Sequence, residues 1–465
     1  MTDIAHRLSE ILPLGALKKP APRYLEEPRG RWQGQAAVVA APGSTDEVAA
    51  VLRLANDSRI PVIPFGGGTG LVGGQLTRAG PPPIILTLER MQRVRNFDSA
   101  AGTMVVEAGV RLSTLHAVSE AEGWIFPLTL ASQGSAQLGG LLATNAGGVN
   151  VIRYGNARDL TLGIEAVLAD GTVIDTLSPL RKNNTGYDLR HLLIGSEGTL
   201  GVITATSLRL FPEPARTGAA LFVVPTPEAA LGLLRLAQAR IGDAISAFEL
   251  IGRQGLLFLD EVGPKTRQPF DDRPDWMCLI DLGMGLGGNP ASALEALFTT
   301  AMEANLASDG VIAQSSAQRA AFWTLRENIP AANRRVGAVS AHDISIPVAA
   351  IPRFIAEAPV RIANIGAFRI NCFGHLGDGN LHYNVFPMPN RSRADHKGEQ
   401  EVIMRTVHDL VHQMGGAFSA EHGIGRLKMA DLERYGDPGK LAAMRAIKAA
   451  LDPKGILNPG AVLRG

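Results

Sequence analysis

Over residues 44 to 58, in STDEVAAVLRLANDS, apolar positions recur at helical spacing behind Ser44 or Thr45, and acids fill the first turn. This predicts a capped helix. RIPVIPF then reads as a short apolar strand, a glycine-rich loop follows, and IILTL at residues 84 to 88 is a second strand. GIEAVLADGTVIDT predicts two strands joined at Asp170-Gly171, and GTLGVITATSLRLF is a long run rich in β-branched residues. Antiparallel pairing mixed with helices argues for an α+β fold rather than a uniform parallel sheet.

Two prolines in FPEPART, residues 211 to 217, mark a change of texture. Beyond it, AALFVV, MCLIDL, FRINCFGHL and LHYNVF alternate with helical stretches such as PEAALGLLRLAQARI, a second α+β unit. A helix at residues 439 to 450 precedes the turn-rich tail LDPKGILNPGAVL.

With 465 residues, 46% of them apolar, the chain is too long for one compact core and should form two or three domains. A formal net charge of +1, with no basic run interleaved with aromatics, excludes the footprint of a nucleic-acid binder and points to a small-molecule partner. Cys278 and Cys372 cannot build a disulfide framework and read as buried small hydrophobes in a reducing compartment. The N-terminus carries Asp3 and Glu10 and lacks a long apolar stretch, so neither a secretory leader nor a spanning helix is expected. A cytoplasmic location follows as the expectation.

PFGGGTGLVGG, residues 64 to 74, places six glycines in eleven positions after a strand, a loop able to turn many N–H groups inward around phosphate. Gly68, Gly70 and Gly73 spell G-x-G-x-x-G, and Glu89 lies about 20 residues on, as in a dinucleotide fingerprint. The crossover helix that fingerprint needs has no room, because LTRAGPPP runs into three prolines. PLTLASQGSAQLGGLLATNAGGVNVIRYG, residues 127 to 155, is a second loop dense in small residues and backbone donors. Two such loops suit a pyrophosphate held between them.

NCFGHLGDGNLHYNVF, residues 371 to 386, reads as a hairpin. With Asp378-Gly379 as a two-residue type I′ turn, Gly377 pairs with Asn380, Leu376 with Leu381, and His375 with His382. Directly opposite residues have Cβ atoms about 5 Å apart, near enough for both imidazoles to meet one ion. Phe373 and Asn384 form the next pair on that face, making Asn384 a substrate contact. Glu421, in SAEHGIGR, offers a third ligand, and two His with one carboxylate leave positions open for catalysis. His422 is then the candidate base. The alternative is a surface pair of histidines without a metal; their register and the nearby Glu-His weigh against it.

In these segments the chain resembles the vanillyl-alcohol-oxidase-type (PCMH-type) FAD-binding family, in its D-2-hydroxy-acid dehydrogenase branch. The likeness covers almost the whole chain and rests on PFGGGTGLVGG, GSAQLGG, ATNAGG, GSEGTLGVIT, the histidine hairpin, SAEHGIGR and LDPKGILNPG, in the family's order. It implies a two-subdomain FAD-binding domain at residues 1–215 and an antiparallel-sheet-and-helix cap at 216–420. A C-terminal segment, 421–465, would return to complete the active site and the FAD site. By the same resemblance Gly66, Gly67, Gly68, Thr69 and Gly70 line the pyrophosphate. Ser132, Gly134, Ser135, Gly140, Thr144 and Asn145 continue the FAD site, Ile203 touches the adenine end and Asn458 closes it. Neither loop contains His or Cys, so the expected FAD is non-covalent.

The resemblance also implies a divalent-metal site at His375, His382 and Glu421, with zinc the first choice and manganese or iron open. Arg326, in WTLRENIP, stands where the family carries a substrate-binding arginine; without the family it reads as an exposed residue paired with Glu327 or Glu303. In VSAHDISIP the chain has Ala341 where many relatives carry Lys, with His342 a candidate substitute, which favours a monocarboxylate such as lactate over 2-hydroxyglutarate. The expected reaction is oxidation of a D-2-hydroxy acid, with hydride passing from Cα to flavin N5 and His422 as general base. Electrons would go to an external acceptor, an electron-transfer flavoprotein or a quinone. A homodimer, a glycolate oxidase flavin subunit, a flavin- or metal-binding protein without turnover and a nicotinamide dehydrogenase remain open alternatives.

Overall fold

The computed structural model describes residues 3–28, 30 and 32–464. The chain divides into two compact units, Met1–Gly148 with Gly155–Glu213 and Glu421–Gly465, and Val149–Tyr154 with Pro214–Ala420.

In the first unit the expected capped helix is Thr45–Ser58, and the Ser44 side chain accepts a hydrogen bond from the Glu47 N–H at 3.2 Å. Its apolar stripe, Val48, Val51, Leu52 and Ala55, is fully buried. Strand Val62–Phe65 lies parallel to Ile84–Thr87, and no helix intervenes between them at residues 66–83. The prolines therefore end the dinucleotide-crossover reading, as expected. The Asp170-Gly171 hairpin joins Thr161–Val167 to Val173–Asp175 within a five-stranded antiparallel sheet that also holds Val202–Arg209.

The second unit is built on a seven-stranded antiparallel sheet with spatial order Asp309–Ile312, Arg216–Val224, Trp276–Met284, Ile245–Gly252, Arg369–His375, Asn380–Phe386, Ser340–Ser345. Alternate residues fill two cores. Phe222, Phe248, Leu250, Ile280 and Tyr383 pack with helices that include Pro227–Ile241 and Glu399–Gln413. Leu221, Ile251, Leu279 and Phe373 pack with helices Arg253–Val262 and Ser316–Val336. Cys278 and Cys372 are buried and free, and burial pushes both thiols up, that of Cys372 to about 12, so they behave as small apolar residues. Among the described residues no helix is long and apolar enough to cross a membrane.

Candidate active site

In the first unit the two glycine loops meet backbone to backbone. A Cβ on Gly67 would lie 2.0 Å from the Ser135 carbonyl oxygen, and one on Gly66 would lie 3.4 Å from the Gly140 Cα. At Gly67 only glycine permits that approach, and Gly68 adds a φ of +72°. Among the described residues, no backbone N–H from Gly67 to Gly73 donates to another part of the protein. Such a run of donors, half-exposed from Gly67 to Leu71 and turned at Gly68, is suited to an anion and fits a pyrophosphate.

The other nominated residues divide by what their polar atoms already do. Ser132, Gly134 and Ser135 form a turn closed by N–H groups of Ser135 and Ala136 on the Ser132 carbonyl, at 2.9 and 2.8 Å. The Thr144 hydroxyl donates to the Gly140 carbonyl at 3.1 Å, and Asn145, at φ +50°, accepts from the Arg158 N–H at 3.0 Å. Both cap the short helix Leu138–Ala143. Ile203 is buried beside a bulge in its strand. The Asn458 side chain donates to the Gly74 and Glu197 carbonyls at 3.0 and 2.8 Å and accepts from Arg426 at 2.9 Å, so its amide braces the loop.

Glu197 and Arg426 were missed by sequence reasoning. The Glu197 carboxylate accepts from the N–H groups of Ile424 and Gly425 at 2.7 and 2.8 Å; burial pushes its pKa up and those donors pull against it. Arg426 donates to the Gly73 and Gly74 carbonyls at 3.1 and 2.8 Å, and burial lowers its guanidinium pKa to about 10. The available signal was one charged residue in each of two runs of small residues, GSEGTLG and HGIGR. Glu421 and His422 open the returning segment, where Glu421 Oε1 accepts the Gly148 N–H at 3.0 Å.

In the second unit the hairpin forms, with a corrected register. His375 opposes Asn380, Phe373 opposes His382, and Asn384 opposes Asn371. The turn is therefore four residues, Leu376 to Gly379, rather than two. Leu376 is drawn into the core instead of pairing with Leu381, and the Asp378 and Gly379 N–H groups close onto the His375 carbonyl at 3.4 and 3.1 Å. A slip of one residue reverses the faces; this displacement is two, so His375, His382 and Asn384 keep one face. The two imidazole centroids lie 5.6 Å apart at 76°. His382 also stacks against Phe373 at 5.0 Å, and its Nδ1 is 4.0 Å from Asp343.

Arg326 is buried and pairs with neither Glu327 nor Glu303. Its Nε donates to Glu249 Oε2 at 2.6 Å, and its guanidinium lies 4.8 Å over the Phe373 ring. The other Glu249 oxygen bonds His375 Nδ1. Burial alone would push the Glu249 carboxyl up; the His375 imidazole and the Arg326 guanidinium outweigh it and bring it down to about 2. An imidazole whose Nδ1 is held by a carboxylate presents Nε2 outward, a usual arrangement for a metal ligand, so the histidine pair fits a borderline divalent ion such as zinc. Glu249 was also missed; its signal was a lone acid in the apolar strand AISAFELIG.

Ala341 opposes Asn384 and shares the imidazole face, where it is exposed. His342 faces the other way, its Nε2 2.9 Å from Ser340 Oγ and its Nδ1 3.3 Å from His408 Nε2. It does not take the place of a cation at position 341, since strand alternation turns neighbours to opposite faces.

Comparison with known proteins bears on the fold and on the family. The fold matches p-cresol methylhydroxylase with a TM-score of 0.75 at 14% identity, covering 99% of this chain and 96% of that one. It matches 4-ethylphenol oxidase from Gulosibacter chungangensis with a TM-score of 0.73 at 18% identity, over 99% and 96% of the two chains. The architecture is thus that of the PCMH-type FAD proteins. A model of the FAD binding domain matches residues 36–177, and one of the FAD-linked oxidase C-terminal domain matches residues 213–462. D-2-hydroxyglutarate dehydrogenase of Xanthomonas citri pv. viticola is 36% identical over 92% of this chain and 90% of its own length. The mitochondrial D-2-hydroxyglutarate dehydrogenase of Bos taurus is 38% identical over 94% and 79%. The chain belongs to the FAD-linked oxidase family, among its FAD-dependent 2-hydroxy-acid dehydrogenases.

Proposed function

We propose that this chain oxidises a short D-2-hydroxy acid to the 2-oxo acid at the His375–His382 face. The observation that carries the reading is Glu249, which links the imidazole of His375 to the guanidinium of Arg326 inside one buried network. Bound FAD supplies the two-electron acceptor, and a divalent cation, zinc first with manganese or iron as alternatives, supplies a Lewis acid for the 2-hydroxyl.

Arg326 binds the substrate carboxylate through its terminal nitrogens, its Nε being engaged by Glu249. Asn384 orients the substrate, and His375 and His382 hold the cation. Glu421 is the third ligand, and chain continuity supports this. The Ala420 N–H donates to the Asp343 carbonyl at 3.2 Å, Asp343 opposes His382, and Glu421 is the next residue. His422 takes the hydroxyl proton on an imidazole nitrogen. Gly66 to Gly70 hold the pyrophosphate, and Ser132, Gly134, Ser135, Gly140, Thr144 and Asn145 continue that site. Ile203 serves the adenine end, and Asn458 keeps the loop in place. The electrons leave to an external electron-transfer flavoprotein or quinone.

Anaerobic mixing with paired D- and L-2-hydroxy acids tests the reading. D-acids should bleach the visible flavin band, L-acids should not, and a chelator should slow the bleaching. A flavin that no D-2-hydroxy acid bleaches would sink it.

Ala341 leaves the imidazole face without a cation for a distal carboxylate, which supports a monocarboxylate such as D-lactate. Ala341→Lys should lower KM for D-2-hydroxyglutarate about tenfold, as one charge-assisted hydrogen bond is worth ~1.5–3 kcal/mol. KM for D-lactate should hardly change. Equal changes for both acids would refute the assignment.

A further inference from the structure

Glu249 lies on the central strand Ile245–Gly252, every residue of which is buried. It opposes His375 directly across the ladder, so strand pairing sets the distance between them. Each oxygen has its own partner: Oε1 bonds His375 Nδ1, and Oε2 accepts from Arg326 Nε at 2.6 Å. An ionised acid with no solvent exposure in an apolar strand carries a large desolvation penalty, and a leucine would satisfy packing alone.

The helix that carries Arg326 is anchored separately. Asp281, on the neighbouring strand Trp276–Met284, accepts from Arg319 Nε and Nη2 at 2.8 and 2.9 Å and from Trp323 Nε1 at 2.7 Å. Residues 319, 323 and 326 follow helical spacing and lie on one face. Asp281 thus anchors the helix independently of the Arg326 head.

We propose that Glu249 is a positioning residue, a shared brace that sets the His375 ring and the Arg326 fork together, so that cation and substrate carboxylate are held in one mutual geometry. A carboxylate on Nδ1 selects the tautomer with its lone pair on Nε2, and the same carboxylate on Nε aims the guanidinium. Substrate grip and cation grip are thereby coupled through one side chain. The proposal rests on the reading of His375, His382 and Arg326 as the reaction centre.

The test uses the purified flavoprotein, depleted of metal with chelator and dialysed against Zn²⁺, alongside steady-state kinetics with D-lactate. Glu249→Gln keeps the volume and removes the charge. It should weaken Zn²⁺ binding roughly 10–100-fold, as loss of an outer partner of a ligating His does. It should also raise the KM for D-lactate about tenfold, the value of one weakened charge-assisted contact, while flavin content stays near wild type. Wild-type Zn²⁺ affinity together with wild-type KM would overturn the proposal. Should Glu249→Gln not accumulate as folded protein, Glu249→Asp decides, since its shorter stem keeps the charge but cannot reach both partners. A tenfold loss in either quantity supports the brace, and no loss in either overturns it. A His375→Ala, His382→Ala double variant separates the two levels. If that variant turns over D-lactate like wild type, the reaction-centre reading itself fails; if it is inactive and Glu249→Gln is indifferent, only the brace fails.

Discussion

Arg326→Ala is expected to lower kcat/KM about a thousandfold and to destabilise the second unit together with it. Two losses coincide at this position. The substrate carboxylate loses its guanidinium partner, a charge-assisted contact of ~1.5–3 kcal/mol in the ground state, and the reacting carbon loses its orientation. Glu249, fully buried, meanwhile keeps His375 as its remaining charged partner. Breaking a buried ion pair by removing one member typically costs about 3–5 kcal/mol, because the remaining charge is left uncompensated. Steady-state kinetics with D-lactate and urea unfolding of the same preparation measure the two effects. A variant with wild-type KM and wild-type unfolding midpoint would show that the guanidinium neither binds substrate nor balances Glu249. Arg326→Lys should recover charge but little activity, since an ammonium cannot reproduce the fork.

Gly67→Ala is expected to yield protein largely free of flavin. The added methyl would sit 2.0 Å from the Ser135 carbonyl oxygen and 3.0 Å from the Ala136 Cα. These are backbone atoms of the second loop, so no side chain can rotate away and the two loops must part. Overpacking of this kind costs about 1–3 kcal/mol, which corresponds to roughly 5- to 150-fold in affinity if it falls on the flavin. The ratio of flavin to protein absorbance after gel filtration gives the answer directly. Gly285→Ala, where the methyl meets nothing within 4 Å, should retain its full flavin. Equal flavin content in the two variants would mean that contact between the loops does not shape the cofactor site.

Much of the architecture was legible because it is local. The helix Thr45–Ser58 begins at the cap its sequence announced, and Pro227–Ile241 has the bounds its apolar repeat suggested. Asp170-Gly171 made its hairpin, and the prolines after the glycine loop excluded a crossover helix. Short-range chemistry suffices in such places: a side chain on its own backbone, a fixed φ, or a two-residue period. The histidine face was legible for the same reason, since alternation along a strand survives an error of two residues in register.

What the linear chain left undetermined concerns partners distant in sequence. Asp378-Gly379 is compatible with turns of either length, and burial of Leu376 selects the longer one. His342 looked like a substitute cation until strand alternation turned it toward His408, 66 residues away. Glu249 lies 126 residues from His375 and 77 from Arg326, and Glu197 lies 227 from the Ile424 amide it accepts. By itself, then, the sequence determined the elements, the chemistry available on each strand face, and the family to which they belong. Only the tertiary structure decided which buried acid answers which cation, because a carboxylate removed from water is stabilised by whatever donors the fold brings to it, and their separation along the chain carries no trace of that meeting.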